Sequence, residues 1–184
     1  MCSLLYKHLK KSKGVQPLSY IMNNQKIADS LINNYGEAVE LGIRFKSSSQ
    51  GIISELGLKS PVNGTFPVSI WEASTKKLLA TVNVNTQKDE FTYASISPLT
   101  IKANTEYVIS FNNYDKGENQ RYYKAQNHNR ENVYPFYAYG IEFLDFRVSS
   151  STTTKFPTIT PDFEQVNIPG VLDFRIELSN NSNS

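Results

Sequence analysis

The sequence predicts an all-β protein, an antiparallel β-sandwich of jelly-roll type with at most one short N-terminal helix. Apolar side chains recur at every second position over most of the chain, which is the period of a half-buried strand. The alternating segments are short and evenly spaced, and Gly, Pro, Asn and Ser lie between them. Helix-compatible spacing is confined to residues 24–34, where the short helix is predicted.

The strands follow in chain order from this alternation. The first six are predicted at 39–46, 52–59, 66–73, 78–84, 91–93 and 107–111. Turn residues separate them, most clearly at Asn63-Gly64, where both residues accept positive φ. Pro98 interrupts the pattern, because proline cannot donate to a strand ladder. Trp71 has the opposite phase to Ile70, so we expect it on the outer face, exposed or covered by a loop.

Residues 112–139 depart from this pattern. They are rich in Tyr and Asn and show little alternation, so we predict a long loop with one short strand near 121–125. Regular structure resumes at 139–148, and three prolines then keep 156–170 extended or turning. A last strand is predicted at 172–178 and pairs back into the sheet.

Length and charge restrict the class of protein. The chain has 184 residues and a net charge of +2, which suits one domain and gives no case for a nucleic-acid binder. No apolar run approaches the ~20 residues that span a bilayer. We predict an N-terminal extension over 1–35, the sandwich over 36–179 and a disordered end over 180–184.

The N-terminus leaves two interpretations open. The sequence begins without the apolar segment of a signal peptide. The protein is then intracellular, or a signal peptide has been removed and Cys2, the single cysteine, is the acylated residue of a lipoprotein. An ordinary thiol is the favoured interpretation of Cys2.

An ordered set of short motifs resembles a known family. The motifs are Glu40-Leu41-Gly42-Ile43-Arg44-Phe45, Val68-Ser69-Ile70-Trp71, Leu78-Leu79-Ala80, Ala103-Asn104-Thr105-Glu106-Tyr107-Val108, Phe156-Pro157 and Leu172-Asp173-Phe174. Their order over about residues 38–178 resembles the bacterial β-sandwich family called domain of unknown function number 4082. The chain departs from the family at Glu90-Phe91, where a Gly-Trp pair is usual, and at Leu172, where the family has Trp.

The resemblance implies a secreted or cell-surface module of a bacterial protein. Relatives lie beside glycan-active or adhesive domains in large extracellular proteins. The family implies no catalytic residues.

Neither catalysis nor a zinc site is indicated. The only histidines, His8 and His128, lie in a basic tail and in the long loop, and no nucleophile and base are spaced as a pair. Glu37 and Glu40 are close in sequence, but Glu40 has the polar phase of its strand and is expected at a solvated or edge position. With one cysteine and two histidines, a structural zinc centre lacks ligands.

Calcium is a weaker possibility. Asp115 and Glu118 flank a glycine in an oxygen-rich loop, and carboxylate and carbonyl oxygens are the ligands that calcium prefers. The regular acidic spacing of a calcium loop is absent, so no cofactor is the leading prediction.

The long loop is the predicted ligand surface. Sugar recognition needs flat apolar faces together with planar polar groups, and this loop supplies both. The predicted contact residues are Tyr114, Arg121, Tyr122, Tyr123, Asn127, Tyr134 and Tyr137. Two alternatives stay open, because such residues also anchor protein partners or cap a core.

The leading hypothesis is therefore a non-catalytic binding or adhesion module, with carbohydrate as the favoured ligand and a surface protein as another candidate partner. A structural spacer or protein–protein assembly module is the alternative. A glycan-active enzyme is the third and least favoured hypothesis.

Overall fold

The computed structural model describes residues 14–24, 29–33, 36–126, 129, 131–161 and 165–179. Its elements are one helix, α1 (Pro17–Asn23), and the strands β1 (Asp29–Asn33), β2 (Val39–Ser47), β3 (Gly51–Lys59), β4 (Gly64–Glu72), β5 (Lys77–Thr86), β6 (Phe91–Ile101), β7 (Glu106–Asn112), β8 (Tyr114–Asp115), β9 (Glu118–Asn119), β10 (Tyr122–Gln126), β11 (Phe136–Ala138), β12 (Ile141–Ser150), β13 (Asn167–Pro169) and β14 (Leu172–Leu178).

Two antiparallel sheets form the sandwich. The larger has six strands in the order β11-β12-β2-β7-β4-β5, and the smaller has three in the order β14-β3-β6. Their inner faces meet in one core, where the ring centroids of Phe45 in β2 and Phe174 in β14 lie 4.7 Å apart. This architecture confirms the predicted all-β sandwich. The jelly-roll connectivity stays a prediction.

The alternating segments form strands because each of them buries one apolar face, as the sequence predicted. The inward phase of β2 is fully buried at Leu41, Ile43 and Phe45, and burying such side chains stabilises a fold by about 1.5–3 kcal/mol each. One detail differs, because Pro98 does not interrupt the fifth predicted strand. β6 continues through it to Ile101, with a register shift opposite β3, and an edge strand tolerates a proline where no ladder bond is needed.

The predicted helix at 24–34 is wrong. Residues 29–33 form β1, which pairs with β10, and the short helix lies earlier, at α1. Pro17 begins that helix at its first turn, where a missing N–H costs little. Leu18 and Ile21 of α1 are buried in the core. The predicted domain boundaries stay a prediction, although these two core residues lie in the stretch assigned to the extension.

The stretch 112–139 contains more regular structure than predicted. The short strand expected near 121–125 is confirmed as β10, which lies between β1 and β13 in a separate three-stranded sheet. The hairpin of β8 and β9 precedes it, and β11 extends the larger sheet beside β12. The Tyr-rich stretch is therefore distributed over several elements.

Candidate functional site

The seven predicted ligand residues do not form one surface. Tyr122 lies in the core and is 1% exposed, with its ring against Phe111 at 6.1 Å, so it is not available to a ligand. The hydroxyl of Tyr134 is buried, and no described residue forms a hydrogen bond with it. Burial, together with the charge of Asp145, keeps the pKa of Tyr134 well above its usual range. For these two tyrosines the structure supports the core-capping interpretation.

The other predicted residues are separated. Tyr114 lies in the β8–β9 hairpin, which contacts the start of β4. Tyr137 lies on β11 at the opposite end of the larger sheet, where it is 61% exposed and donates to Glu142 over 2.9 Å. Arg121 is exposed just before β10, and Asn127 lies outside the described residues. A single small ligand cannot contact Tyr114 and Tyr137 together, because three strands lie between β4 and β11.

Asp115 and Glu118, the calcium candidates, face each other across a two-residue turn. Lys116 and Gly117 form this turn with φ values of 52° and 85°, as in a type I′ hairpin. The Asp115 carboxylate accepts a hydrogen bond from the Thr65 backbone N–H at 3.3 Å. Among the described residues no three acidic, His or Cys side chains gather as a metal site.

Tyr123 is the predicted residue that leads to a cluster of aromatic and charged side chains. Its hydroxyl donates to Asp89, and its ring centroid lies 5.6 Å from the Lys59 ammonium. The same ammonium lies 6.0 Å from the ring centroid of Phe91. Lys59 therefore joins β10 to the outer face of the smaller sheet through two cation–π contacts.

Tyr93 lies flat on that outer face because its cross-strand neighbour is a glycine. Gly57 pairs with Tyr93 on one side and with Asp173 on the other. A Cβ added to Gly57 would lie 2.4 Å from the Tyr93 ring, so the ring occupies the space that a side chain would need. The ring thus crosses β3, and its hydroxyl donates to Asp173 over 2.8 Å.

Phe91 extends this flat surface along β6. The Phe91 and Tyr93 rings are inclined by only 21°, with centroids 6.2 Å apart, and both side chains are half-buried. Arg175 lies 6.0 Å from the Tyr93 centroid and forms an ion pair with Glu55. We call Phe91 and Tyr93, with their neighbours Lys59, Glu55 and Arg175, the aromatic platform.

Asp173 links the aromatic platform to α1, because its carboxylate accepts hydrogen bonds from both. Its buried carboxylate accepts from the backbone N–H groups of Leu18 at 3.1 Å and Ser19 at 2.8 Å, so it caps the N-terminus of α1. Burial raises the pKa of Asp173 to about 6, against the effect of these hydrogen bonds. Burial and the nearby Asp173 carboxylate raise the pKa of Tyr93 well above its usual range, so its hydroxyl stays a donor.

The hydroxyl of Tyr123, like that of Tyr93, donates to an aspartate, in this case Asp89. Partial burial raises the pKa of Tyr123 to about 12, and the hydrogen bond to Asp89 acts in the same direction. The hydroxyl is therefore protonated at every physiological pH. Tyr123 thus borders the aromatic platform, in which the Lys59 ammonium lies over the Phe91 ring and the Arg175 guanidinium over the Tyr93 ring.

Glu40, expected at a solvated or edge position, is instead fully buried. Its carboxylate accepts from Ser110 at 2.6 Å and Asn112 at 3.1 Å, and Ser110 in turn accepts from the indole N–H of Trp71 at 2.8 Å. Burial raises the pKa of Glu40 to about 7. The expectation was wrong because residues 151–158 cross the outer face of the larger sheet and enclose this network.

We call residues 151–158 the covering segment. Phe156 packs edge-on against Trp71 with centroids 5.8 Å apart, which settles Trp71 as covered rather than exposed. The Asn112 amide donates to the carbonyl oxygens of Ser151 at 3.0 Å and Thr153 at 3.1 Å. These contacts connect the covering segment to the buried Glu40 network.

The platform was missed in the sequence for a clear reason. Phe91 and Tyr93 marked a strand, but alternation does not show which residues lie opposite them. Gly57 inside a strand was the one available signal, since an isolated strand glycine often marks close contact with a neighbouring group. Only the register of β14, β3 and β6 brings Asp173, Gly57 and Tyr93 into one row.

The chain belongs to a family whose function is not established. The family model described as "Domain of unknown function (DUF4082)" matches residues 25–162, which confirms the resemblance seen in the motifs. No curated protein matches the chain. Within the described part of the chain, no helix is long and apolar enough to cross a membrane.

Proposed function

We propose that this protein is a non-catalytic binding or adhesion module of a secreted or cell-surface protein, and that the aromatic platform binds carbohydrate. The observation that carries the proposal is the pair of nearly parallel rings at Phe91 and Tyr93 on the outer face of the smaller sheet. A pyranose presents a flat patch of C–H groups, and the negative face of an aromatic ring attracts their partial positive charge. Two rings with centroids 6.2 Å apart offer stacking surfaces to neighbouring sugar units.

The border of the platform supports the same ligand class. Sugar hydroxyls both donate and accept, and the platform offers the Glu55 carboxylate as acceptor and Lys59 and Arg175 as donors. The ion pair of Arg175 with Glu55 holds both groups in place, so little side-chain entropy is lost when a ligand binds. Gly57 and Asp173 fix the Tyr93 ring before any ligand arrives.

The test is a glycan-array screen of the full chain, followed by affinity measurements on each hit. Phe91→Ala removes one half-buried ring from the outer face, and we expect at least about a tenfold loss of affinity, equal to about 1.4 kcal/mol. Tyr93→Phe keeps the ring but removes the hydroxyl bond to Asp173 that fixes it, so affinity should fall by less than in Phe91→Ala. Tyr137→Ala, on the exposed side of β11, serves as the matched control and should bind like the native chain.

Calcium enters the same screen, which is run once with calcium and once with a chelator. Binding that requires calcium would assign the ligand to a metal-bridged loop, with Asp115 and Glu118 as the residues to change first. A blank array in both conditions would overturn carbohydrate binding and favour protein contact. Equal binding by the native chain and Phe91→Ala would place the ligand elsewhere.

A further inference from the structure

A pocket of about 300 Å³ opens on the outer face of the larger sheet, on the opposite side of the sandwich from the platform. Its walls are Arg44 of β2, Glu106 of β7, Arg147 of β12 and the Ala73-Ser74 turn that follows β4. The turn is held beside the pocket by a backbone hydrogen bond of 3.0 Å from the Ala73 N–H to the Glu106 carbonyl.

A network of ion pairs fixes the charged walls. The two oxygens of Asp145 accept from different arginines, Oδ2 from Arg44 at 2.6 Å and Oδ1 from the Nε of Arg147 at 2.8 Å. Arg44 also donates from Nη1 to Oε2 of Glu106 at 2.6 Å. Neighbouring acidic groups raise the pKa of Arg44, against the effect of partial burial, so its charge is constant. Side chains restrained in this way form a site that exists before a ligand binds.

The network leaves hydrogen-bonding groups available at the pocket. Arg147 is engaged through Nε alone, and no described residue bonds to its two terminal nitrogens. Its side chain is 20% exposed, so most of the side chain is buried while the terminal nitrogens reach the pocket. Oε1 of Glu106 accepts no hydrogen bond from any described residue, and Ser74 adds an exposed hydroxyl.

Arg147, Glu106 and Ser74 would each bind a different chemical group of a ligand. The terminal edge of a guanidinium matches a carboxylate in a two-bond geometry that an ammonium cannot reproduce. The Glu106 carboxylate repels a plain anion but accepts from hydroxyl groups, and the Ser74 hydroxyl does both. A ligand that satisfies all three carries a carboxylate and adjacent hydroxyls on one compact frame.

We propose that this pocket binds a hydroxy-carboxylate the size of one sugar-acid residue, with the carboxylate on Arg147 and hydroxyl groups on Glu106 and Ser74. The site shares no residue with the aromatic platform and does not depend on carbohydrate binding there. A protein with both sites would bind ligands on two opposite faces of the sandwich.

Titration of the full chain with sodium glucuronate at low ionic strength tests the pocket, with amide chemical shifts as the readout. We expect saturable shifts at Ala73 and Ser74. Methyl glucoside, which lacks the carboxylate, and sodium acetate, which lacks the hydroxyls, should each bind at least about tenfold more weakly. Equal affinity for glucuronate and either probe would overturn the proposed division of roles.

Two substitutions in the exposed turn separate binding from folding. Ser74→Glu places a second carboxylate at the pocket and should weaken glucuronate binding at least about tenfold. Ser74→Gln matches the size of Ser74→Glu without the charge; it loses only the contact of the Ser74 hydroxyl, so it should weaken binding severalfold less than Ser74→Glu does. Neither change touches a buried group, because Ser74 is exposed.

Arg147→Lys keeps the positive charge and removes the paired geometry. Affinity for glucuronate should fall, while glucuronate and methyl glucoside become harder to distinguish, because Arg147 is the residue that we assign to the carboxylate. Unchanged affinity in Ser74→Glu, or saturable shifts confined to residues outside the pocket, would overturn the proposal. Shifts at Phe91 and Tyr93 alone would assign the sugar acid to the platform and leave the pocket without its ligand.

Discussion

Glu40 and Asp173 are carboxyl groups enclosed by segments that are distant in sequence. The covering segment encloses Glu40, and α1 encloses Asp173. In both, burial outweighs the hydrogen bonds, so the pKa rises to about 7 for Glu40 and to about 6 for Asp173. The native state therefore binds protons more strongly than the unfolded chain, and both groups make stability depend on pH.

The sign of the Glu40 effect follows from its pKa values. The ordinary value is 4.5 and the folded value is about 7, so the contribution to stability is complete below about pH 4.5 and is lost as the pH rises through about 7. A shift of this size corresponds to roughly 3 kcal/mol. We expect the urea midpoint of the native chain to fall from about pH 4.5 to about pH 7.5, the interval set by the two pKa values.

Glu40→Gln removes the titrating group but keeps the shape of the side chain. The fall in urea midpoint over this pH window should shrink by at least half, with Asp173 supplying most of what remains. Glu37→Gln, an exposed carboxyl three residues away, is the control and should keep the native pH dependence. Identical pH profiles for the native chain and Glu40→Gln would contradict this account of Glu40.

The elements show where sequence reasoning succeeds and where it fails. The strands were predictable because alternation records which face of a strand is buried, as in β2 and β14. Alternation says nothing about what covers the other face. It therefore misplaced Glu40, whose cover comes from the covering segment, and it gave no reason to combine Tyr93 with Asp173. The helix at 24–34 failed because pairing with β10 outweighed local spacing.

The candidate site was less predictable than the strands. Composition identified residues 112–139 as rich in rings and amides, but it did not distinguish Tyr122, which turns into the core, from Tyr123, which turns to Lys59. Adjacent residues of a strand point to opposite faces, so one of the two had to be buried. Which one depends on the sheet of β1, β10 and β13, whose pairing is not local.

The covering segment can be followed through the single tryptophan. Trp71 is 7% exposed and Phe156 packs against it, so removing the Phe156 ring admits water to the indole. We expect Phe156→Ala to shift the tryptophan emission to longer wavelength and to reduce stability by about 3 kcal/mol.

Phe91→Ala removes a ring of the same size from the other face of the sandwich and should leave the emission unchanged. An unshifted spectrum in Phe156→Ala would mean that the covering segment does not shield Trp71. The emission of Phe91→Ala also tests whether that variant is folded, because unfolding would expose Trp71 and shift its emission.

The fold of the whole molecule extends beyond the family match. The matched range, 25–162, omits α1, β13 and β14. β14 is one of the three strands of the smaller sheet, and its Leu172, Phe174 and Ile176 are fully buried. Without it β3 and β6 remain as a pair, and two strands are marginally stable on their own. Loss of α1 and β14 also removes the Asp173 carboxylate that fixes Tyr93.

A fragment of residues 25–162 should therefore lack a cooperative thermal transition, whereas a fragment of residues 14–179 should melt within about 3 °C of the full chain. The reason is the core, because the shorter fragment exposes the inner faces of Phe45 and Leu56 that β14 covers. Differential scanning calorimetry on the three proteins gives the answer. A cooperative transition of 25–162 near that of the full chain would show that the matched range folds alone, and that α1 and β14 only extend it.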